Sequence, residues 1–201
     1  MRFIASVEEL EGHYGTPGEA SLLKVARRMT PAYRDWIGRS RFCILSTVGP
    51  EGTDASPRGD DGPVVMELDP GTLALPDWKG NERVDSLRNI VRDPRVSVMF
   101  LVAGSNNVVR VNGSAHVTAD EDLRQRFARD GKLPRSVVVI GIAEIYSQCA
   151  RALMRAGLWT SGDQSAGLPT AGGILSELTE GRIDGAAYDE AWPARAAKTM
   201  W

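Results

Sequence analysis

Cysteine and histidine are scarce in this chain, with two of each in 201 residues. Cys43 and Cys149 lie far apart, and with His13 and His116 they fit no familiar zinc spacing. The chain therefore reads as one with two buried, reduced thiols and no metal. A dominant charge is missing as well: 24 basic against 26 acidic residues leave a net charge of -2, so no broad basic field marks a nucleic-acid partner. No apolar run is long enough to span a bilayer, so no membrane partner is expected. The N-terminus turns acidic at Glu8, Glu9 and Glu11, too early for a secretory leader, and the expectation is a cytoplasmic protein. Repeats and low-complexity linkers are also lacking. What remains is an ordinary globular composition, 42% hydrophobic, enough for the core of one domain.

The first forty residues read helical. Ser6 with Glu9 offers a capping box, residues 18–29 carry apolar side chains at helical spacing, and Thr30 caps a helix that has Pro31 at its first position. The pattern then changes to short strands: 41–49, 63–69 and 72–77, the last two joined as a hairpin by Pro70-Gly71. A helix over 83–93 ends before Pro94. An apolar strand over 95–103 looks buried on both faces, Asn106-Asn107 turns it into a strand over 108–118, a helix covers 120–130, and a long strand covers 136–147. Residues 148–159 read as a helix up to Gly157, and 160–173 as loop. Residues 174–181 read as a helical turn or two, and 187–201 as a tail whose Trp192 and Trp201 pack on something. Six closely spaced strands with short connections predict a barrel or sandwich with helices attached.

Two stretches carry candidate chemistry. Asp54 to Pro63, "DASPRGDDGP", sets one arginine among glycines, prolines and small residues. Its Arg-Gly-Asp triplet invites a cell-adhesion reading, which requires export; the alternative is an anion-binding turn. Leu75 to Ile90, "LPDWKGNERVDSLRNI", runs strand, loop, helix. Gly80 and Asn81 permit an unusual backbone path. Arg83 and Ser86 share a face at the start of the helix, whose free N–H groups favour an anion. Arginine, hydroxyl, amide and helix terminus together make a phosphate cradle. Spacing alone leaves open an ordinary capped helix with a surface arginine.

Several pieces in order resemble the pyridoxamine 5'-phosphate oxidase-like flavoproteins, the FMN-binding split-barrel family, and within it the subgroup of probable FMN-dependent enzymes. They are "ASPRGD" (55–60), "LALPDWKGNERVDSLRNI" with "DPRVSVMFLV" after it, "RVNGSAHVT" (110–118) and "CARALMRAGLW" (149–159). The resemblance implies a mostly β fold with attached helices (α+β), a six-stranded antiparallel split β-barrel. It implies an FMN-binding barrel domain over 41–160, an N-terminal helical segment over 1–40 packed on the barrel, and a C-terminal loop and tail over 161–201 in the same domain. It also implies a homodimer with FMN at the interface. Carried over by residue, Arg58 meets the flavin or its phosphate, with Gly59 allowing close approach and Asp60 holding the arginine or a ring edge. Leu75, Pro76 and Asp77 end the strand that lines the ring, and Asn81, Arg83 and Ser86 stand at the phosphate. Arg110 opens a flanking strand, and Trp159 reaches the cofactor from its own or the other subunit.

The sequence departs from true pyridoxamine phosphate oxidases in two places. "GNER" replaces their arginine- and lysine-rich phosphate sequence, and "ARAAKTMW" does not match their C-terminal substrate-gripping segment. Gln148 stands where many relatives hold a histidine. Among other candidates, Trp36, Trp78 and Trp159 each offer a stacking ring, and the resemblance selects Trp159. His116 and Glu144 read as outward-facing strand residues, and Arg151 and Arg155 as a pair on one helix face. No catalytic acid, base or nucleophile stands out. The resulting expectation is an FMN-dependent oxidoreductase moving a hydride or electron pair, with NADH or NADPH as a donor and an unidentified small-molecule substrate. The alternatives are a non-catalytic flavin-binding protein, or a split-barrel enzyme using a deazaflavin or haem.

Overall fold

The computed structural model describes residues 1–200, so the expectation for Trp201 lies outside the described residues. Two short helices, α1 (Val7–Glu11) and α2 (Glu19–Leu23), bury no residue. Ser6 caps α1 by accepting from the Glu9 N–H at 3.1 Å. The chain joins the core at Ala26, which bridges to Ile145, and at buried Met29. Helix α3 (Pro31–Ile37) begins as its sequence dictates: Thr30 Oγ1 accepts from the Tyr33 N–H at 3.3 Å, and Pro31 occupies the first turn.

The strands are β1 (Phe42–Gly49), β2 (Gly52–Gly59), β3 (Met66–Asp69) and β4 (Thr72–Asp77). After helix α4 (Asp85–Arg92) come β5 (Arg95–Leu101), β6 (Val108–Thr118), helix α5 (Glu121–Gln125) and β7 (Ser136–Gln148). They form one seven-stranded antiparallel sheet in the order β2-β1-β5-β6-β7-β4-β3. One strand more than the expected six is present, and the extra one is β2. Its sequence, Gly-Thr-Asp-Ala-Ser-Pro-Arg-Gly, has little β propensity and reads as a turn. Pairing with β1 along its whole length makes it a strand, and its position at the sheet edge leaves room for Pro57. Strand β5 buries Val96, Val98 and Phe100 and leaves the alternate residues less covered, so it has one inner face rather than two.

The sheet curls into a split barrel. Its interior holds Cys43, Leu45, Leu73, Leu75, Val98, Phe100, Val111, Val138 and Ile140. The curl brings edge strand β2 within side-chain reach of β4, at the far side of the sheet order, and the two are not joined by a backbone ladder. Helix α4 packs beside this seam, where Asn89 Nδ2 donates to Thr47 Oγ1 of β1 at 3.1 Å.

Beyond the barrel lie α6 (Arg151–Ala156), α7 (Ala171–Leu178) and α8 (Gly185–Thr199). The expected tail is thus a 15-residue helix. Asp184 caps it by accepting from the Ala187 N–H at 3.1 Å, and its alanine-rich run outweighs Pro193. Helices α7 and α8 touch through backbone: a Cβ on Gly172 would stand 2.1 Å from the Gly185 carbonyl oxygen. No helix among the described residues is long and apolar enough to cross a membrane.

The two thiols differ, correcting the expectation that both are buried: Cys43 is buried and Cys149 is exposed. Burial pushes the Cys43 thiol up to about 12, partly offset by the Arg58 charge. The neutral thiol is therefore favoured by folding; this contribution is complete below pH ~9 and disappears as pH rises towards 12. A thiol reagent at pH 8 should label one cysteine in the native protein and both after unfolding. Equal native labelling of both would refute this core assignment.

Candidate functional site

Strand alternation puts Asp54, Ser56, Arg58 and Asp60 on one side of β2, and Ala55, Pro57 and Gly59 on the exposed side. The first set faces a cavity of about 970 Å3 at the seam of the barrel. Its opposite wall is the end of β4 (Leu75, Pro76, Asp77), followed by the loop 78–84 and the first residues of α4. Pro76 is tolerated there because β3 pairs with β4 only as far as Ala74. The volume sits at the upper end of the ~300–1,000 Å3 typical of small-molecule sites.

The central feature is Arg58. Its Nη1 donates to Asp77 Oδ1 across the seam, and both side chains are mostly covered, 20% and 13% exposed. Its Nε is buried and has no hydrogen-bond partner. Asp60, 3% exposed in its side chain, is fully engaged: it accepts from Trp78 Nε1 at 3.2 Å and from the Gly62 N–H at 3.3 Å, and pairs with Arg129 at 2.6 Å. It holds Trp78 and Arg129 rather than Arg58. Gly59 needs no special space, since a Cβ there would lie at an ordinary 3.8 Å from the nearest atom.

The loop before α4 is strained, though not at the residues the sequence suggests. Positive φ falls on Glu82 (65°) and Val84 (51°), and not on Gly80 or Asn81. For β-branched Val84 this is a costly conformation, on the order of 1–3 kcal/mol. It turns the chain so that α4 starts at the cavity wall with no side chain capping it. Asn81 Oδ1 accepts from the Arg83 N–H at 3.1 Å, which shapes the same turn. Arg83 lines the rim, 75% exposed and paired with Asp85 at 2.8 Å. Ser86 is buried, and its hydroxyl donates to Asp54 Oδ2.

Nine of the eleven residues singled out from sequence thus meet at one cavity. Arg110 and Trp159 do not line it. Directly paired residues share a face, so Arg58 lies with Cys43, Phe100 and Val109 on the inner face, whereas Arg110 lies with Met99, Ile44 and Pro57 on the outer one. There Arg110 Nη1 donates to Tyr146 Oη at 3.2 Å, and its Nε is buried without a partner. Trp159 donates to the Ser105 carbonyl at 2.8 Å. Trp78 is the tryptophan on the cavity wall, while Trp36 packs against the core. His116, Arg151 and Arg155 are exposed, and Glu144 accepts from Asn112 at 2.7 Å. Sequence reasoning missed Asp54, Lys79, Arg135 and Met200 on the wall. Asp54 was legible from its two-residue spacing to Ser56 and Arg58, had β2 been read as a strand.

The family model for pyridoxamine 5'-phosphate oxidase matches residues 29–149, more than half of the chain. The chain belongs to the pyridoxamine 5'-phosphate oxidase family. The matched span includes every strand and nearly the whole cavity wall, and leaves out α1, α2 and α6–α8. No curated protein matches the chain. Among solved structures it is similar to HupZ of Group A Streptococcus, at 16% identity over 59% of this chain and 93% of that one, with a TM-score of 0.50. General stress protein 26 of Bacillus anthracis is 18% identical over 55% and 86%, TM-score 0.42. The FAD binding protein of Mycobacterium smegmatis is 14% identical over 61% and 97%, TM-score 0.41. At these identities only the fold is shared, and HupZ is the member of the three that supports it.

The seam pair generates a stability prediction. Arg58→Ala and Asp77→Ala should each cost about 2–4 kcal/mol, because each leaves a mostly buried charge alone. The double variant should cost clearly less than their sum. Thermal unfolding of the four proteins reads this, and additive losses would show that the pair is not coupled.

Proposed function

We propose that this protein is an FMN-dependent oxidoreductase, with the flavin held in the seam cavity. The observation that carries the reading is the buried, unpartnered Nε of Arg58 on a wall otherwise satisfied by internal pairs. A buried N–H without an acceptor costs about 1–3 kcal/mol, and a ligand oxygen or ring nitrogen relieves it. The surroundings fit a flavin mononucleotide: apolar Leu75 and Pro76 for a ring, the uncapped start of α4 for an anion, and Arg83, Lys79 and Arg135 near the rim. Membership of the pyridoxamine 5'-phosphate oxidase family supports the same cofactor class.

When bound, FMN supplies the hydride or electron-pair transfer, with a reduced nicotinamide as the proposed donor. The protein's part is to bind and orient. Arg58, fixed by Asp77, gives the cavity wall a cation with an unfilled N–H. Trp78, pinned by Asp60, walls one end of the cavity. The strained turn at Glu82 and Val84 holds the α4 terminus against it.

The reading extends to a homodimer. Arg110 and Trp159 are turned away from the cavity of their own chain and would serve a flavin only across an interface. The outer sheet face around Phe42, 41% exposed, offers the apolar surface for it.

Purified protein should be yellow and release FMN on heating, identified by mass; a colourless protein that takes up no added FMN would overturn the reading. Arg58→Ala should weaken FMN binding by about 1.5–3 kcal/mol, the scale of a hydrogen bond to a charged group. Arg83→Ala should change it by no more than ~1 kcal/mol, because Arg83 is exposed. Equilibrium titration of flavin fluorescence measures both, and a reversed order would move the anionic end to the rim. Light scattering on a sizing column should give twice the 21.8 kDa chain mass; a monomer that retains FMN would remove Arg110 and Trp159 from the site.

A further inference from the structure

We propose that Asp54 is an internal competitor for the anionic end of the ligand, occupying the start of α4 until the ligand displaces it. The inference rests on the flavin reading of the cavity. A serine hydroxyl has one hydrogen to donate. That of Ser86 goes to Asp54 Oδ2, so none is left for a phosphate oxygen. Ser86 is buried in the first turn of α4, whose N-terminus carries no side-chain cap and favours a negative charge. Asp85 in that turn is paired with Arg83, and Asp54 adds a second negative charge from β2 that has no described ion pair. The cavity's ion pairs are closed elsewhere: Arg58 goes to Asp77, Arg83 to Asp85, Arg135 to Glu82, and Asp60 and Asp61 to Arg129. No described ion pair screens Asp54 from an arriving anion.

The same face of β2 carries the ligand-seeking group. Arg58 stands four residues from Asp54, a separation of roughly 13 Å along an extended strand. A ligand that meets Arg58 Nε with its ring and α4 with its phosphate must bring that phosphate against the Asp54 carboxylate. Two anions in contact at a partly dry wall repel. Asp54 must therefore turn away and release Ser86, and the cost falls on phosphorylated ligands alone. A neutral flavin of the same ring and side chain does not meet it. Asp54 is thus an affinity- and specificity-setting residue, poised between FMN and riboflavin.

The test is a pair of titrations, FMN and riboflavin, by flavin fluorescence quenching on the full chain and on Asp54→Asn. The expected result is FMN affinity at least about tenfold higher in the variant, with riboflavin affinity within about twofold. Removal of the charge leaves an amide that donates to phosphate, and only FMN reads the difference. Asp54→Ser is the second variant if thermal unfolding shows that Asp54→Asn has lost its fold. Weaker FMN binding in the variant, or an equal change for both flavins, would overturn the proposal and leave the flavin site standing. Failure of either flavin to bind to either protein would overturn the flavin reading itself, and this inference with it.

Discussion

The Arg58–Asp77 ion pair is the join on which the rest of the site depends. Strand β2 is one edge of the sheet and β4 lies next to the other, and the curl that brings them together is not completed by backbone hydrogen bonds. A side-chain pair completes it instead. Removing two charges from water is costly, and their attraction repays the cost only with good geometry and further partners. Asp77 has its backbone oxygen tied to the Arg135 N–H at 3.0 Å, which fixes the strand end that carries it. Arg58 has its buried Nε without a hydrogen-bond partner. The seam is held by side chains, Arg58 to Asp77 and, one step beyond the strand ends, Trp78 to Asp60, and a cavity lies along it.

The cavity wall is polar, and its three arginines are paired internally, while Asp54 has no described ion pair. The ion pairs of its arginines span different segments, β2 to β4, the loop before α4 to α4 itself, and the loop before β7 to the loop before α4, while Asp60 and Asp61 pair with Arg129. Such pairing keeps the wall's arginines from standing as bare charges. The positive φ values of Glu82 and Val84 belong to the same economy. Non-glycine residues persist in that region when the surroundings over-determine them. Here the fixed points on either side are the end of β4 and the packing of α4 against β1.

The family match covers the barrel and stops before α6. The segments outside it differ in character from the barrel. Helices α1 and α2 bury nothing and expose Val7, Leu10, Leu22 and Leu23. Short helices without a buried face gain little from propensity alone. At the other end, α7 and α8 pack on each other through two glycines, and Met200 at the end of α8 reaches the cavity wall. The barrel supplies a common frame, and these additions are where this chain is individual.

The sequence by itself determined the local features: the caps at Ser6 and Thr30, the Pro70-Gly71 hairpin, α4 with its stop before Pro94, and six of the seven strands. Each rests on interactions within a few residues or on a strong hydrophobic period. The order of its motifs also singled out Arg58, Asp77 and Ser86, which the structure brings to one cavity. Tertiary structure decided the rest. Strand β2 exists because β1 pairs with it along its length, which outweighs the poor propensity of Gly, Asp and Pro. The split between Arg58 and Arg110 follows from register: a one-residue difference in parity along paired strands sends side chains to opposite faces. Whether Asp60 or Asp77 holds Arg58, and which acid Ser86 meets, depends on how far the sheet curls. That curl is a sum over all seven strands and is written in no single segment of the chain.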